Sequence, residues 1–159
     1  MPRQPATCKE TALGALARRE HSVGELGRKL RQKGFGLAEV RQVVEALQAD
    51  GYVDNARYAV ARVRYRALQS KWGWGRIVQE LKMAGVGEDD IAAARGALAE
   101  EGIDLQDGAV ALARRKLAGK VEDAEARFKQ RQKALAALVR KGFSLDEAKR
   151  ALDEAAAEG

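Results

Sequence analysis

Three glycines divide this chain into units that repeat the same apolar register. Gly34, Gly85 and Gly142 each follow a basic or polar helical stretch, and they are 51 and 57 residues apart. When these glycines are aligned, apolar residues coincide at three further positions: Leu30, Leu81 and Leu138; Val40, Ile91 and Ala148; Leu47, Leu98 and Ala155. Such self-similarity is typical of stacked supersecondary units, because one short unit alone buries too little surface.

Each unit is predicted to contain three helices. Ser22 followed by Glu25 forms a capping box in the first unit, and Asp54 caps the first helix of the second. In the third unit, Phe128 and Leu138 mark an apolar face. Both prolines lie within the first five residues, and no sustained period-2 alternation predicts a strand. We predict an all-α fold of three tandem three-helix repeats in an elongated, curved molecule: a flexible N-terminal tail at 1–9 and repeats at 10–53, 54–103 and 104–159.

The positive charge of the chain is concentrated in one segment. The chain has 29 Lys and Arg against 23 Asp and Glu, a formal net charge of +6. Between Asn55 and Lys82 there are seven cations and a single acid, Glu80, so this segment carries +6 and the remainder is formally neutral. A local excess of cations indicates a polyanionic or acidic partner, with a basic face that is merely solvated as the alternative.

Cysteine usage and hydropathy favour a cytoplasmic protein. Cys8 is the only cysteine, so no internal disulfide can form and a reducing compartment is expected. No apolar run approaches the roughly 18 residues of a membrane span, and the N-terminus lacks a signal-peptide pattern. We therefore expect a soluble cytoplasmic protein without a membrane partner.

The residue types that catalysis requires are scarce. His21 is the only histidine and lies at a helix junction, where a turn role is favoured over that of a base or ligand. Cys8 is predicted to lie in the N-terminal tail, so a Cys8–His21 pair would require that tail to fold back. The Gly119–Lys120 pair lacks the other residues of a phosphate loop. We expect no enzymatic activity, catalytic residue, metal, cofactor or small-molecule substrate.

The first helix of the second repeat is the best candidate for binding a partner. At 100° per residue, Ala56 and Val63 mark its core face, whereas Tyr58, Arg62 and Tyr65 share another arc. Guanidinium groups beside aromatic rings suit flat, anionic partners. The two tyrosines could instead seal the seam with the first repeat.

The loop after this helix adds two tryptophans between basic residues. Trp72 and Trp74 could contact a partner or could plug a gap between helices. The predicted partner-binding residues are Arg57, Tyr58, Arg62, Arg64, Tyr65, Arg66, Lys71, Trp72, Trp74 and Arg76.

Several stretches of the sequence resemble the RecX family. The resemblance covers roughly residues 10–155 and is strongest from Leu16 to Val86. The family's usual loop has a proline before the arginine, and Trp72, Trp74 and Gly75 replace that pattern here. The matching stretches are 19–26 (REHSVGEL), Lys29-Leu30, 33–35 (KGF), 51–59 (GYVDNARYA), 75–77 (GRI), Glu80-Leu81 and Gly85-Val86.

The resemblance implies a regulator of recombination, DNA repair and the SOS response. RecX-like proteins are tandem three-helix repeats that bind the RecA recombinase, lying in the groove of its filament on single-stranded DNA. They limit filament growth and inhibit its ATPase and strand exchange. The residues themselves leave two rivals open: a direct DNA-binding helical repeat protein, and a helical scaffold with no nucleic acid nearby.

Overall fold

The computed structural model describes residues 1–159, and its regular structure is entirely helical. The all-α class and the three tandem three-helix repeats are therefore confirmed. None of the helices has the length and apolar character of a membrane span. In chain order the helices are α1 (Cys8–Arg18), α2 (Val23–Gln32), α3 (Leu37–Ala49), α4 (Asn55–Leu68), α5 (Trp74–Met83), α6 (Glu88–Glu100), α7 (Leu105–Leu117), α8 (Ala124–Arg140) and α9 (Leu145–Ala157).

The second helix of every repeat ends in the same Schellman motif. Gly34, Gly85 and Gly142 have φ angles of 100°, 82° and 99°, which glycine adopts without steric cost. The residue after each glycine donates its N–H to a carbonyl five residues earlier: Phe35 to Leu30 at 3.3 Å, Val86 to Leu81 at 3.0 Å and Phe143 to Leu138 at 3.2 Å. The breakers found in the sequence thus stop a helix and direct the chain into the next one.

The predicted apolar register is the observed core. All nine aligned residues are buried, and Leu30, Leu81 and Leu138 are completely so. Burying one leucine side chain stabilises a fold by roughly 1.5–3 kcal/mol, so these positions make large contributions. One core cluster draws its residues from α1, α2 and α3, and another from α7, α8 and α9.

The first helix begins inside the segment predicted as a tail. Thr7 caps α1: its hydroxyl accepts from the Glu10 N–H at 3.1 Å, and the Glu10 carboxylate accepts from the Thr7 N–H at 2.9 Å. Cys8 is buried in the first core cluster, so its placement in a tail is wrong. Burial, with the charge of Glu39, raises the pKa of this thiol, which keeps it protonated.

Two residues predicted on core faces are exposed instead. Ala56 points outward, and Tyr58 is buried on the same helix. Phe128 is 63% exposed. α8 begins 18 residues before its turn glycine, whereas α2 and α5 each begin 11 residues before theirs. α8 is therefore about two turns longer at its N-terminus, and Phe128 lies in these extra turns. No residue in 124–130 is buried, so these turns lie outside the core.

The chain divides into two compact units, residues 1–62 with 81–95, and residues 63–80 with 96–159. In the first unit the Ser22 hydroxyl donates to the Ala84 carbonyl at 2.7 Å. A Cβ on Gly24 would lie 3.0 Å from the same oxygen. This backbone carbonyl, one residue before Gly85, therefore receives the N-terminus of α2 at close range.

The second unit contains the equivalent contact one repeat further on. The Gly73 N–H donates to the Lys141 carbonyl at 2.8 Å, and the Gly75 N–H donates to the Gly142 carbonyl at 3.2 Å. Under the alignment of the turn glycines, Gly73 corresponds to Ser22 and Lys141 to Ala84. A Cβ on Gly73 would lie 2.4 Å from the Gly142 carbonyl carbon, so this approach requires glycine.

We expect Gly73→Ala to lower the free energy of unfolding by about 1–3 kcal/mol, because the added methyl group meets backbone atoms that cannot move aside. Chemical denaturation measures this. Gly14→Ala is the matched control, since its Cβ would meet nothing within 4 Å and the change should stabilise α1 by up to about 1 kcal/mol. Equal stability of Gly73→Ala and the parent would contradict the close approach.

Candidate partner-binding site

Three of the predicted binding residues form one cluster around the Trp72 ring. The guanidinium carbons of Arg66 and Arg76 each lie 3.8 Å from the ring centroid. Arg66 is in α4, Trp72 in the loop and Arg76 in the first turn of α5, so the loop brings both cations to one ring. Cation–π contacts of this kind contribute about 0.5–2 kcal/mol each, depending on exposure.

Arg66 is held within the fold. Its guanidinium donates to both carboxylate oxygens of Glu80, at 2.9 and 2.7 Å, and to the Ser70 hydroxyl at 3.1 Å. The Arg66 and Glu80 side chains are only 19% and 22% exposed. A bidentate, partly buried fork of this kind fixes the orientation of Arg66. Its main contribution is therefore to fasten α4 to α5.

Arg76 and Lys71 present their charges to solvent. Both side chains are exposed, and neither forms an ion pair within the second unit. Lys71 has a φ of 55°, a left-handed conformation that is uncommon outside glycine. Its Cα, Cβ and Cδ would each lie 3.6 Å from a Cβ placed on Gly108, so the backbone and part of the aliphatic stem pack against α7 although the residue is exposed.

The two tryptophans are half-buried rather than fully exposed. The backbone N–H of Trp72 donates to the backbone carbonyl of Arg66 at 3.0 Å, and this bond holds the loop against the end of α4. Trp74 is the first residue of α5. Both side chains are only partly exposed, so each ring packs in part against the fold.

Three other predicted binding residues lie in the first unit. The Arg57 guanidinium donates to the Glu20 carboxylate at 2.7 Å and to the Gly51 and Tyr52 carbonyls at 3.1 and 3.2 Å. Tyr58 is 3% exposed, so a partner cannot reach its ring and its predicted binding role is wrong. The sequence pattern centres the core face of α4 on Ala56 and so predicts an outer position for Tyr58, whereas the observed core face includes Tyr58 and leaves Ala56 exposed.

Arg62 is half-buried beside Glu25. Burial opposes ionisation of Glu25, but hydrogen bonds from Arg19 and the charges of Arg19 and Arg62 lower its pKa. The positive charge of Arg62 is therefore partly balanced by the negative charge of Glu25. Its availability to a partner remains a prediction.

The remaining two predicted residues differ in character. Arg64 forms an ion pair with Glu101, and hydrogen bonding to that carboxylate raises the pKa of Arg64. Tyr65 is half exposed, with the Arg66 guanidinium carbon 5.6 Å from its ring centroid. Since Glu101 comes from outside the basic segment, Arg64 contributes less net charge than the sequence count assigned to it.

His21 lies at a helix junction as predicted, but it is buried. Its Nδ1 is 3.0 Å from the Arg19 carbonyl, and its Nε2 has no hydrogen-bond partner. Burial is the largest influence on the pKa of His21 and lowers it, with help from the charges of Arg19 and Lys29 and against the raising effects of the Arg19 carbonyl and Glu25. The imidazole is therefore a neutral core group.

Sequence reasoning missed the ion-pair partners of the basic segment. Glu20 and Glu101 lie 37 residues from the arginines that they bind, a distance at which pattern analysis along the chain gives no signal. The contact of Gly73 with Gly142 was also missed. Gly73 and Gly75, on either side of Trp74, were a usable signal, because glycine often marks a close backbone approach.

Family models for three RecX domains match successive parts of the chain. The model described as RecX, first three-helix domain, matches residues 8–47. The models for the second and third three-helix domains match residues 54–94 and 104–152. The matches follow the order of the three repeats.

Curated relatives called Regulatory protein RecX are similar over most of the chain. The one from Ralstonia nicotianae is 35% identical over 91% of this chain and 85% of its own length. The one from Pseudomonas fluorescens is 40% identical over 87% and 84%. A crystal structure of RecX from Lactobacillus salivarius superposes with a TM-score of 0.72 at 22% identity, covering 93% of this chain and 94% of its own. That similarity supports the fold.

Arg66→Lys should lower the free energy of unfolding by about 1–2 kcal/mol, because an ammonium group cannot reproduce the bidentate fork to Glu80. Arg76→Lys, at the same ring but without the fork, should be close to neutral. Thermal melting of both variants measures the difference. Equal melting temperatures would show that the Arg66 fork does not stabilise the protein.

The free energy of unfolding should fall as the pH falls below about 6.5. The folded state lowers the pKa of His21, so the unfolded chain binds the proton first and protonation favours unfolding. In His21→Gln, this part of the pH dependence should disappear. Denaturant titrations of both proteins between pH 5 and 8 measure it. An identical pH profile for the two would refute the assignment to His21.

Proposed function

The chain belongs to the RecX family of regulatory proteins, and from this premise we propose that it regulates the RecA recombinase. In this proposal it binds the RecA filament on single-stranded DNA in the cytoplasm and inhibits filament growth, ATPase activity and strand exchange. It acts by binding and not as an enzyme. This assignment rests on the domain matches, in order, over most of the chain.

The exposed part of the Trp72 cluster is the surface that supports this proposal best. Lys71 and Arg76 direct uncompensated charges to solvent beside a half-exposed indole ring. Cations next to a ring can contact phosphates, acidic side chains and flat groups. A filament of protein on DNA offers all three. Arg66 holds the ring in place, and we propose that Lys71, Trp72 and Arg76 make the contacts.

Tyr65, Trp74, Arg62 and Arg64 are proposed as secondary contacts. Each is partly exposed, but Arg64 would first have to release Glu101. An exposed ion pair contributes at most about 1 kcal/mol, so a carboxylate or phosphate of a partner can replace Glu101 at Arg64 with little loss of free energy. Arg57 is excluded because its donors are used by Glu20 and two carbonyls.

The alternative is a protein that binds DNA directly without the recombinase. A principal DNA binder would bind naked single-stranded DNA tightly, with a steep dependence on salt. A filament binder would act at much lower concentrations when recombinase is present. ATPase measurements and DNA titrations with the same preparation separate the two.

Reversing both charges in Lys71→Glu/Arg76→Glu should raise the concentration for half-inhibition of the recombinase ATPase on single-stranded DNA. Two exposed contacts of about 1 kcal/mol each correspond to an increase of up to about 30-fold. The remaining inhibition should depend less on salt, because fewer ionic contacts are made. Thermal melting checks that the variant folds.

Lys149→Glu/Arg150→Glu is the matched control, with the same change of charge on exposed positions of α9. It should inhibit like the parent. If the Lys71/Arg76 variant folds and inhibits as well as the control, the cluster is not the contact surface. If the parent itself does not inhibit the ATPase, the proposed function is wrong.

A further inference from the structure

The extra turns of α8 carry an exposed aromatic ring that the core does not explain. Phe128 is 63% exposed, and it lies among residues 124–130, none of which is buried. Its neighbours on the outside of the helix are polar or small. The ring is thus an isolated apolar group, unlike the contiguous apolar patch that marks most protein-docking surfaces.

Three cations form a strip along the solvent side of α8. At about 100° per residue, Lys129, Lys133 and Arg140 fall within about 40° of one another and form a row along the helix. The buried Leu138 lies about 180° from Lys129, on the side that faces the core. Phe128 lies about 100° round the helix from Lys129, so the ring and the cations occupy adjacent parts of the half of α8 that faces solvent.

These cations are available to a ligand. Lys133 and Arg140 are exposed and form no ion pair within the second unit. Lys129 pairs with Glu125 at 2.9 Å, but the two side chains are 68% and 72% exposed. Such an exposed helical pair is easily exchanged for a stronger contact.

A fourth cation is held near the same end of α8 by its loop. The Arg127 guanidinium donates to the carbonyls of Val121 and Glu122, at 3.3 and 3.0 Å, and the Gln130 amide donates to that of Ala118 at 3.4 Å. These bonds hold loop 118–123 against the extra turns of α8. Lys120, within that loop, is exposed.

We propose that this face of α8 binds single-stranded DNA, with Phe128 as a platform for a base and Lys129, Lys133 and Arg140 as phosphate contacts. Single strands offer unpaired bases for stacking together with a regular row of negative charges. A duplex hides the base faces, which makes an isolated ring of little use. The choice of DNA over RNA rests on the proposed function.

The test is fluorescence anisotropy of labelled oligo-dT across a salt series, without recombinase. Phe128→Ala should weaken binding by roughly 5- to 150-fold, the range for loss of one base–aromatic stack. Phe128→Trp should retain it. Lys129→Glu/Lys133→Glu should weaken binding and reduce the slope of log affinity against log salt by about 1.4, for two phosphate contacts on a single strand.

Two control variants in the same repeat test whether any loss of an apolar side chain or any reversal of charge weakens DNA binding. Leu145→Ala removes another half-exposed apolar side chain, and Lys149→Glu/Arg150→Glu reproduces the change in charge. Both should bind oligo-dT like the parent. Thermal melting should show that every variant is folded, because Phe128 packs against little.

Several outcomes would overturn the proposal. One is unchanged oligo-dT binding by Phe128→Ala, and another is an equal loss in the controls. Tighter binding of oligo-rU than of oligo-dT would reassign the face to RNA. Absence of DNA binding together with weaker ATPase inhibition by Phe128→Ala would reassign it to a protein partner. Because these titrations contain no recombinase, failure of the proposed function would leave their outcome unaffected.

Discussion

The contact between a helix N-terminus and the backbone at the next turn glycine is the constraint on which each compact unit depends. In the first unit, the Ala84 carbonyl accepts the Ser22 hydroxyl and lies against Gly24. In the second, the Lys141 and Gly142 carbonyls accept backbone N–H groups of the Trp72 loop. The left-handed turn frees these carbonyls from the helical ladder, so the same glycine ends one helix and supplies acceptors for another.

This contact also explains the conformation of the candidate site. With Gly73 and Gly75 held on the turn, Trp72 is placed between the end of α4 and the start of α5. Arg66 and Arg76 can then approach one ring, although they carry the same charge. Glu80 neutralises Arg66, which leaves Arg76 as the charged member that faces solvent. Packing and charge are therefore arranged by the same few backbone bonds.

The sequence predicts the fold much better than the site. Apolar register and turn glycines are local signals, so Leu30, Leu81 and Leu138 were located correctly. Boundaries depend on caps, and the Thr7–Glu10 capping box was missed although its pattern is visible. Ion pairs such as Arg57 with Glu20 depend on tertiary structure. A sum of charges along the chain therefore overstates the charge that a partner encounters.

The structure of α8 determines whether the array of repeats could continue. Gln130 and Gln132 occupy the positions equivalent to Gly73 and Gly75. Both lie inside α8, so their backbone N–H groups belong to the helical ladder, whereas Ser22 and Gly73 precede the helices that follow them. A fourth repeat could therefore not bind α8 through the kind of backbone hydrogen bonds that join the turn at Gly142 to the start of α5. A duplicate of the third repeat would therefore have to be held by contacts other than these backbone bonds.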